Sequence, residues 1–240
     1  PRLVEIAGIK PGDRVLDVAC GTGVSTRVAA ERAGVTGRVV GLDFSAAMLG
    51  IARELPPAAG ADIEWIEANA LSMPLPDASF NVAICQQGLQ QIPDRVAALR
   101  EIRRVLEPAS RFVGCVWGPL EGNPGMHALV QALGRHVSPA AADNRRAPFA
   151  LSDSENLRGL LVEAGFRDVQ IQTLTIIAGF TSSDDQVDGE FEATPLSTVA
   201  GVTVEMRDAI RRDVRAAVAR YTDGDQLNLP MEVHFALGQA

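Results

Sequence analysis

The chain has 240 residues, a formal net charge of −8 and an isoelectric point near 4.9. That length suits a single α/β domain over residues 1–240 with a full core. The acidic balance argues against nucleic acid as a partner, because a footprint on phosphates needs a basic face. No apolar run reaches the roughly eighteen residues of a membrane span. The start, Pro1-Arg2-Leu3-Val4, has no initiator Met and no signal-peptide pattern, so residues upstream are expected.

Strands are predicted at 14–18, 37–43, 62–67, 80–85, 110–117, 168–177 and 231–238. Helices are predicted at 2–8, 24–33, 45–55, 93–106, 124–136, 152–164 and 203–221. The alternation implies a doubly wound, Rossmann-like parallel sheet. Ligands then sit outside the carboxyl ends of the strands, where the strand order reverses. Asp94 opens one helix, whose apolar face is Val96, Leu99, Ile102 and Leu106. Ser152 or Asp153 caps a later one, and Gly165 ends it. Residues 118–150 and 178–229 exceed ordinary connections. The second contains an amphipathic helix with Val204, Ile210, Val214, Ala217, Val218 and Tyr221 on one face. Both segments are expected to be substrate lids.

Arg14-Val15-Leu16-Asp17-Val18-Ala19-Cys20-Gly21-Thr22-Gly23 reads as a buried strand, a small-residue loop and a helix start. Gly21 and Gly23 permit a sharp turn and bring backbone N–H groups close to a ligand. Asp43 ends the next strand, at the spacing where a carboxylate accepts from a ribose diol. A dinucleotide loop would carry a third glycine, which is missing. Asp17 at the loop's mouth would also repel a pyrophosphate. An acid there suits a cofactor bearing an ammonium group, which favours S-adenosylmethionine (SAM) over NAD.

These residues resemble the class I SAM-dependent methyltransferases. Asp17 to Gly23 is similar to the family's D/E-x-G-x-G-x-G loop, with Ala19 replacing the first glycine. Asp43-Phe44-Ser45-Ala46-Ala47-Met48-Leu49, the stretch Asn69 to Phe80, Arg103-Arg104-Val105-Leu106-Glu107-Pro108 and the Leu161-x-x-Ala164-Gly165-Phe166 string resemble later elements in order. The likeness is nearest to small-molecule enzymes of the ubiquinone/menaquinone-biosynthesis type. It implies a seven-stranded sheet with the last strand antiparallel, and SAM as cofactor with S-adenosylhomocysteine as product. It also implies that Asp17, Ala19, Gly21, Gly23, Asp43, Phe44, Met48, Asn69, Ala70 and Gln86 bind the cofactor. Asn69 stands where relatives have Asp, and Glu107-Pro108-Ala109-Ser110 lacks the glycines of the family turn.

Cys85-Gln86-Gln87-Gly88-Leu89-Gln90-Gln91-Ile92 follows the fourth strand, where relatives often carry His. Glutamine cannot take a proton, so Gln87, Gln90 and Gln91 are candidate substrate contacts and no catalytic base is identified. His127, His136, His234 and Tyr221 are the other candidates, with His127 placed on the substrate side. Cys20, Cys85 and Cys115 have no metal-ligand spacing. They read as reduced thiols of a cytoplasmic protein, and no metal is expected. The function read here is methyl transfer from SAM to a small apolar or aromatic molecule. An RNA or protein methyltransferase, a non-catalytic SAM-binding protein and a NAD-dependent oxidoreductase stay open. Oligomeric state is open, a homodimer being one option.

Overall fold

The computed structural model describes residues 2–56, 58–193, 201–224 and 226–240. β1 (Arg14–Val18) and β2 (Arg38–Asp43) are buried at every residue but the first, as two runs rich in Val and Leu require in the middle of a sheet. They pair in parallel, Leu16 beside Val40. β3 (Ile63–Glu67) adds to β2, and β4 (Phe80–Gln86) returns to the other side of β1, Leu16 beside Ala83. β5 (Leu106–Trp117), β6 (Arg167–Phe180), β7 (Thr222–Asp223) and β8 (Gln226–Gln239) complete the set. The order is β3-β2-β1-β4-β5-β8-β6, with β7 paired to β8. The order therefore reverses between β1 and β4, which places a crevice at their carboxyl ends.

β8 runs against β5. The Ala240 N–H donates to the Ser110 carbonyl near the start of β5, and the Gly118 N–H donates to the Glu232 carbonyl just past its end. The expected seven-stranded path is present, and the two-residue β7 is an extra hairpin arm. β5 starts at Leu106 rather than at 110. Leu106 pairs with Phe80, and a register shift before Val82 absorbs the turn. Ala109 takes φ 61° there, so an alanine adopts the conformation a glycine would hold without strain.

α1 (Arg2–Ala7), α2 (Val24–Ala33), α3 (Ala46–Glu54) and α4 (Arg95–Val105) accompany the first strands. Asp94 caps α4 by accepting from the Ala97 N–H at 2.9 Å. Leu99 and Ile102 face the core as expected, joined by Ala98 and Val105, while Val96 is only half-buried. Further on come α5 (Pro124–His136), α6 (Pro139–Arg146), α7 (Ser154–Glu163), α8 (Ser183–Ala193) and α9 (Val204–Val218). No helix among the described residues is long and apolar enough to cross a membrane.

The chain forms two compact units, where the sequence reading takes one domain with two insertions. The first comprises Pro1–Val116, Ser154–Gln172 and His234–Ala240; the second comprises Trp117–Asp153 and Thr173–Val233. The second unit has its own core, in which Leu129 and Leu133 of α5 meet Val187 and Phe191 of α8 and Ile210, Val214 and Val218 of α9. α6 and α8 are not among the predicted helices. Ser138 caps α6 ahead of Pro139, a legible start signal. α8 opens on Asp184 and Asp185, and among its described side chains only two apolar ones, Val187 and Phe191, mark its buried side. Tyr221 packs against this core, but Val204 and Ala217, expected on the buried face of α9, are exposed. Val204 lies in the first turn of α9, ahead of the buried positions 210, 214 and 218.

Candidate active site

The crevice is built from the residues that follow β1, β2 and β4. After β1 the chain turns through Ala19, Gly21 and Gly23, all with positive φ (55°, 55° and 81°). A Cβ at Gly21 would meet nothing within 4 Å, and Gly21 lines the cavity. Gly23 differs. A Cβ there would lie 2.3 Å from the Trp65 ring, and Gly23 lines neither of the two lobes described below. Its part is to let α2 pack against the Trp65 indole, which also crosses Gly41. Ala19 holds a left-handed conformation with its methyl against Gly88, where an added Cβ would come within 2.5 Å. Gly88 is thus required by the alanine at 19, a pairing that reading the loop alone does not reveal.

Asp43 is buried and ties two elements together. Its Oδ2 accepts from the Gly21 N–H at 2.8 Å, and its Oδ1 from the Ser45 N–H at 2.9 Å. Each oxygen keeps a further lone pair. Ser45 caps α3, which fixes Phe44 and Met48 beside the crevice. Phe44 is 78% exposed, although it lines both lobes described below.

Asp17, expected at the mouth of the loop, lies beneath it. The carboxyl is fully buried and lines neither lobe; Oδ2 accepts from Thr26 Oγ1 at 2.6 Å, and Oδ1 has no partner among the described residues. Burial pushes its pKa up to about 7, and the nearby Asp43 adds to the shift. Burial, with Asp17 and Asp43 nearby, holds the Cys20 thiol far above the ordinary range. Cys85 and Cys115 are raised to about 12, chiefly by burial. All three cysteines are free thiols.

Two lobes make up the crevice. One, about 500 Å³, is lined by the loop, Asp43, Phe44, Met48 and the ends of β4, including Gln86 and Gln87. The other, about 320 Å³, is lined by Leu42, Phe44, Asn69, Ala70, Leu71 and Ile92, among others. Ala19, Asp43, Phe44, Gly88 and Gln91 border both. Asn69 Oδ1 already accepts from the Leu71 N–H at 2.9 Å, closing a small turn. Arg104 holds the following segment by donating to the Met73 and Leu75 carbonyls and to Asp77, with Glu101 beside it. Those partners raise the Arg104 pKa, so it stays charged.

Of the predicted substrate contacts, Gln87 and Gln91 line the crevice. Gln90 does not, since it is buried and its Nε2 donates to Gln87 Oε1 at 2.6 Å. His127 is in the second unit, on α5, beside Gln131. His136 is there too, 2.8 Å from Asp213 on α9, and His234 is buried in β8. Ser25 is a cavity residue the motif reading passes over; its hydroxyl donates to Gln86 Oε1. Its place in the first turn of α2 was the available signal.

Residues 15–109 match the family model described as a methyltransferase domain. The ubiquinone/menaquinone biosynthesis C-methyltransferase UbiE of Ectopseudomonas mendocina is 33% identical over 186 residues, 72% of each chain. The chain belongs to the class I SAM-dependent methyltransferases of this type. The demethylmenaquinone methyltransferase of Staphylococcus epidermidis is 30% identical, over 70% of this chain and 73% of its own. Among solved structures, the YcgJ protein of Bacillus subtilis is similar with a TM-score of 0.62 at 18% identity, covering 99% of this chain and 96% of that one. A Haemonchus contortus phosphoethanolamine N-methyltransferase 2 in complex with SAM gives 0.61 at 18% identity, covering 99% of this chain and 51% of that one. At that identity the two structures show the fold. This methyltransferase therefore uses SAM and acts on a small molecule, and the reading as a non-catalytic SAM-binding protein is set aside.

Proposed function

We propose that the crevice of the first unit holds SAM across both lobes, and that the acceptor is a hydroxylated aromatic ring that ionises without a protein base. The residues fit the cofactor part by part. The spare lone pairs of Asp43 suit the ribose hydroxyls, and the open face of Gly21 leaves room for the chain beside them. Phe44, Asn69, Ala70 and Leu71 border the smaller lobe, a suitable surround for adenine. Met48 and Gln86 border the larger one. The orphaned Asp17 Oδ1 lies beneath the loop, and above about pH 7, where the carboxyl ionises, it becomes a buried negative pole suited to the ammonium group.

One observation carries the acceptor class. Among the described residues lining the lobes there is no histidine, lysine, glutamate or tyrosine, and the one carboxylate is Asp43. Asp43 is held by two backbone N–H groups, Cys20 is a firmly protonated thiol, and the loop after β4 offers amides. SAM, when bound, supplies an electrophilic methyl on a positively charged sulfur. The chain's own work is then to align the acceptor and exclude water. The acceptor would lose its hydroxyl proton to solvent and take the methyl on its oxygen or on the ring carbon that shares the charge, with S-adenosylhomocysteine as the leaving group; on carbon, the ring C–H proton is then lost to solvent and the oxygen is reprotonated. The printed names of the curated relatives, which concern ubiquinone and menaquinone biosynthesis, support a ring of this kind. The net negative charge supports a non-nucleic-acid acceptor, and the three free thiols support a reducing, cytoplasmic compartment.

The test uses methyl-labelled SAM and a series of phenols of graded acidity. The pH at which kcat/KM levels off is expected to track each phenol's own ionisation. A single inflection, fixed whatever the phenol, would reveal a base in the protein and overturn the reading.

A further inference from the structure

The loop after β4 contains a directed chain of hydrogen bonds. Gln90 Nε2 donates to Gln87 Oε1 at 2.6 Å, and Gln87 Nε2 donates to Cys115 Sγ at 3.7 Å. The Gln87 backbone N–H donates to the Cys115 carbonyl at 2.8 Å, so the main chain is pinned as well. Gln87 is held at φ 55°, a left-handed conformation that costs a non-glycine residue about 1–2 kcal/mol. Strain of this kind persists where the surroundings over-determine it, and it clusters at functional sites. Gln90 lies on a short 3-10 turn, Leu89–Gln91, and is buried. Arg95 also donates to the Gln90 carbonyl, at 3.3 Å.

The chain assigns unequal parts to the two glutamines. Gln87 lines the larger lobe and has one side-chain N–H left after Cys115 is served. Donation into an amide oxygen polarises that amide and strengthens its N–H as a donor. Resting on the reading of an ionised ring acceptor, we propose that Gln87 gives this N–H to the acceptor's oxyanion, and that Gln90 is the positioning residue that orients and strengthens it. A loop that cannot remove a proton would thereby still favour the acceptor that has lost one. The glutamines standing where relatives often carry His would stabilise the product of ionisation in place of a base.

The test needs no turnover. 4-Nitrophenol is titrated spectrophotometrically on the protein saturated with S-adenosylhomocysteine. Wild type is expected to bind the phenolate about tenfold more tightly than the phenol, as a charge-assisted bond would give, so the bound dye ionises at lower pH than the free dye. Gln87→Met should abolish the preference. Gln90→Met, off the cavity wall, should reduce it several-fold while S-adenosylhomocysteine affinity stays within about twofold. If Gln90→Met does not fold, Gln90→Leu takes its place, since its side chain has no group that can donate to Gln87. Failure of wild type to bind the dye or to prefer phenolate, or a preference that survives either variant, overturns the proposal. The earlier reading fails on a different result, the fixed inflection in the rate profile.

Discussion

The two units of this methyltransferase hold their shape by different means. In the first, backbone geometry places the site: positive φ angles at Ala19, Gly21 and Gly23, a buried acid spanning the Gly21 and Ser45 N–H groups, and a ring fitted over two glycines. In the second, α5, α8 and α9 pack apolar faces together, and ion pairs such as Arg211–Asp188 and Arg215–Asp184 join α9 to α8 outside that core. Exposed pairs of this sort are worth little each, so the second unit depends on its core. A constraint on backbone geometry tolerates few residue types, whereas a packed helical face tolerates many. Changes in the first unit should therefore be specific and position-dependent, and changes in the second should be graded with buried volume.

The sharpest contrast lies within the loop itself. Gly23→Ala puts a methyl 2.3 Å from Trp65 at φ 81°, which should cost roughly 3 kcal/mol of stability in urea unfolding. Gly21→Ala meets open space, so it should cost only about 1–2 kcal/mol yet impair cofactor binding, because its methyl enters the cavity. Equal stability losses would erase the distinction between a packing glycine and a cavity glycine.

Asp17 gives an effect of similar size and opposite sign. The native carboxyl keeps its proton up to about pH 7, while the unfolded one releases it near 3.8. The native state thus binds more protons across that window, and the stability this group supplies declines as pH rises through it. Asp17→Asn should stabilise the ligand-free protein at pH 8, by an amount on the order of a few kcal/mol, and flatten the dependence between pH 4 and 7. At pH 8, where the wild-type carboxyl is ionised, the same change should weaken SAM binding about tenfold, through loss of the buried charge. An unchanged pH profile would show that Asp17 is not the group concerned.

In the second unit, Ile210→Ala should cost about 2–4 kcal/mol by opening a cavity among α5, α8 and α9. S-adenosylhomocysteine affinity should stay within about twofold of wild type under conditions where the variant is folded, because no cavity residue is altered. A large loss of affinity would mean that the contrast between the units is drawn too strongly.

What the sequence made legible follows the same division. The strands from β1 to β5, and Asp43, Phe44, Met48 and Gln86 at the crevice, could be read from motifs, because a nucleotide site restricts backbone geometry locally. Asp17 and Gly23, read as cofactor residues, line neither lobe: the Asp17 carboxyl lies beneath the loop and Gly23 packs under Trp65, since a motif states position and not the direction of a side chain. Gln90 was misplaced for the same reason. The helix α6 carries a start signal at Ser138-Pro139 that the reading passes over, whereas α8 and the exposed Val204 were not legible, because burial there depends on partners distant in sequence.

The most direct test of the account is a calorimetric titration of wild type and Asp43→Ala with S-adenosylhomocysteine. The account predicts binding by wild type and a loss of at least about a hundredfold in the variant, which gives up both the spare ribose acceptors and the tie between the loop and α3. Undiminished binding by a folded Asp43→Ala would contradict the assignment of the cofactor to this crevice.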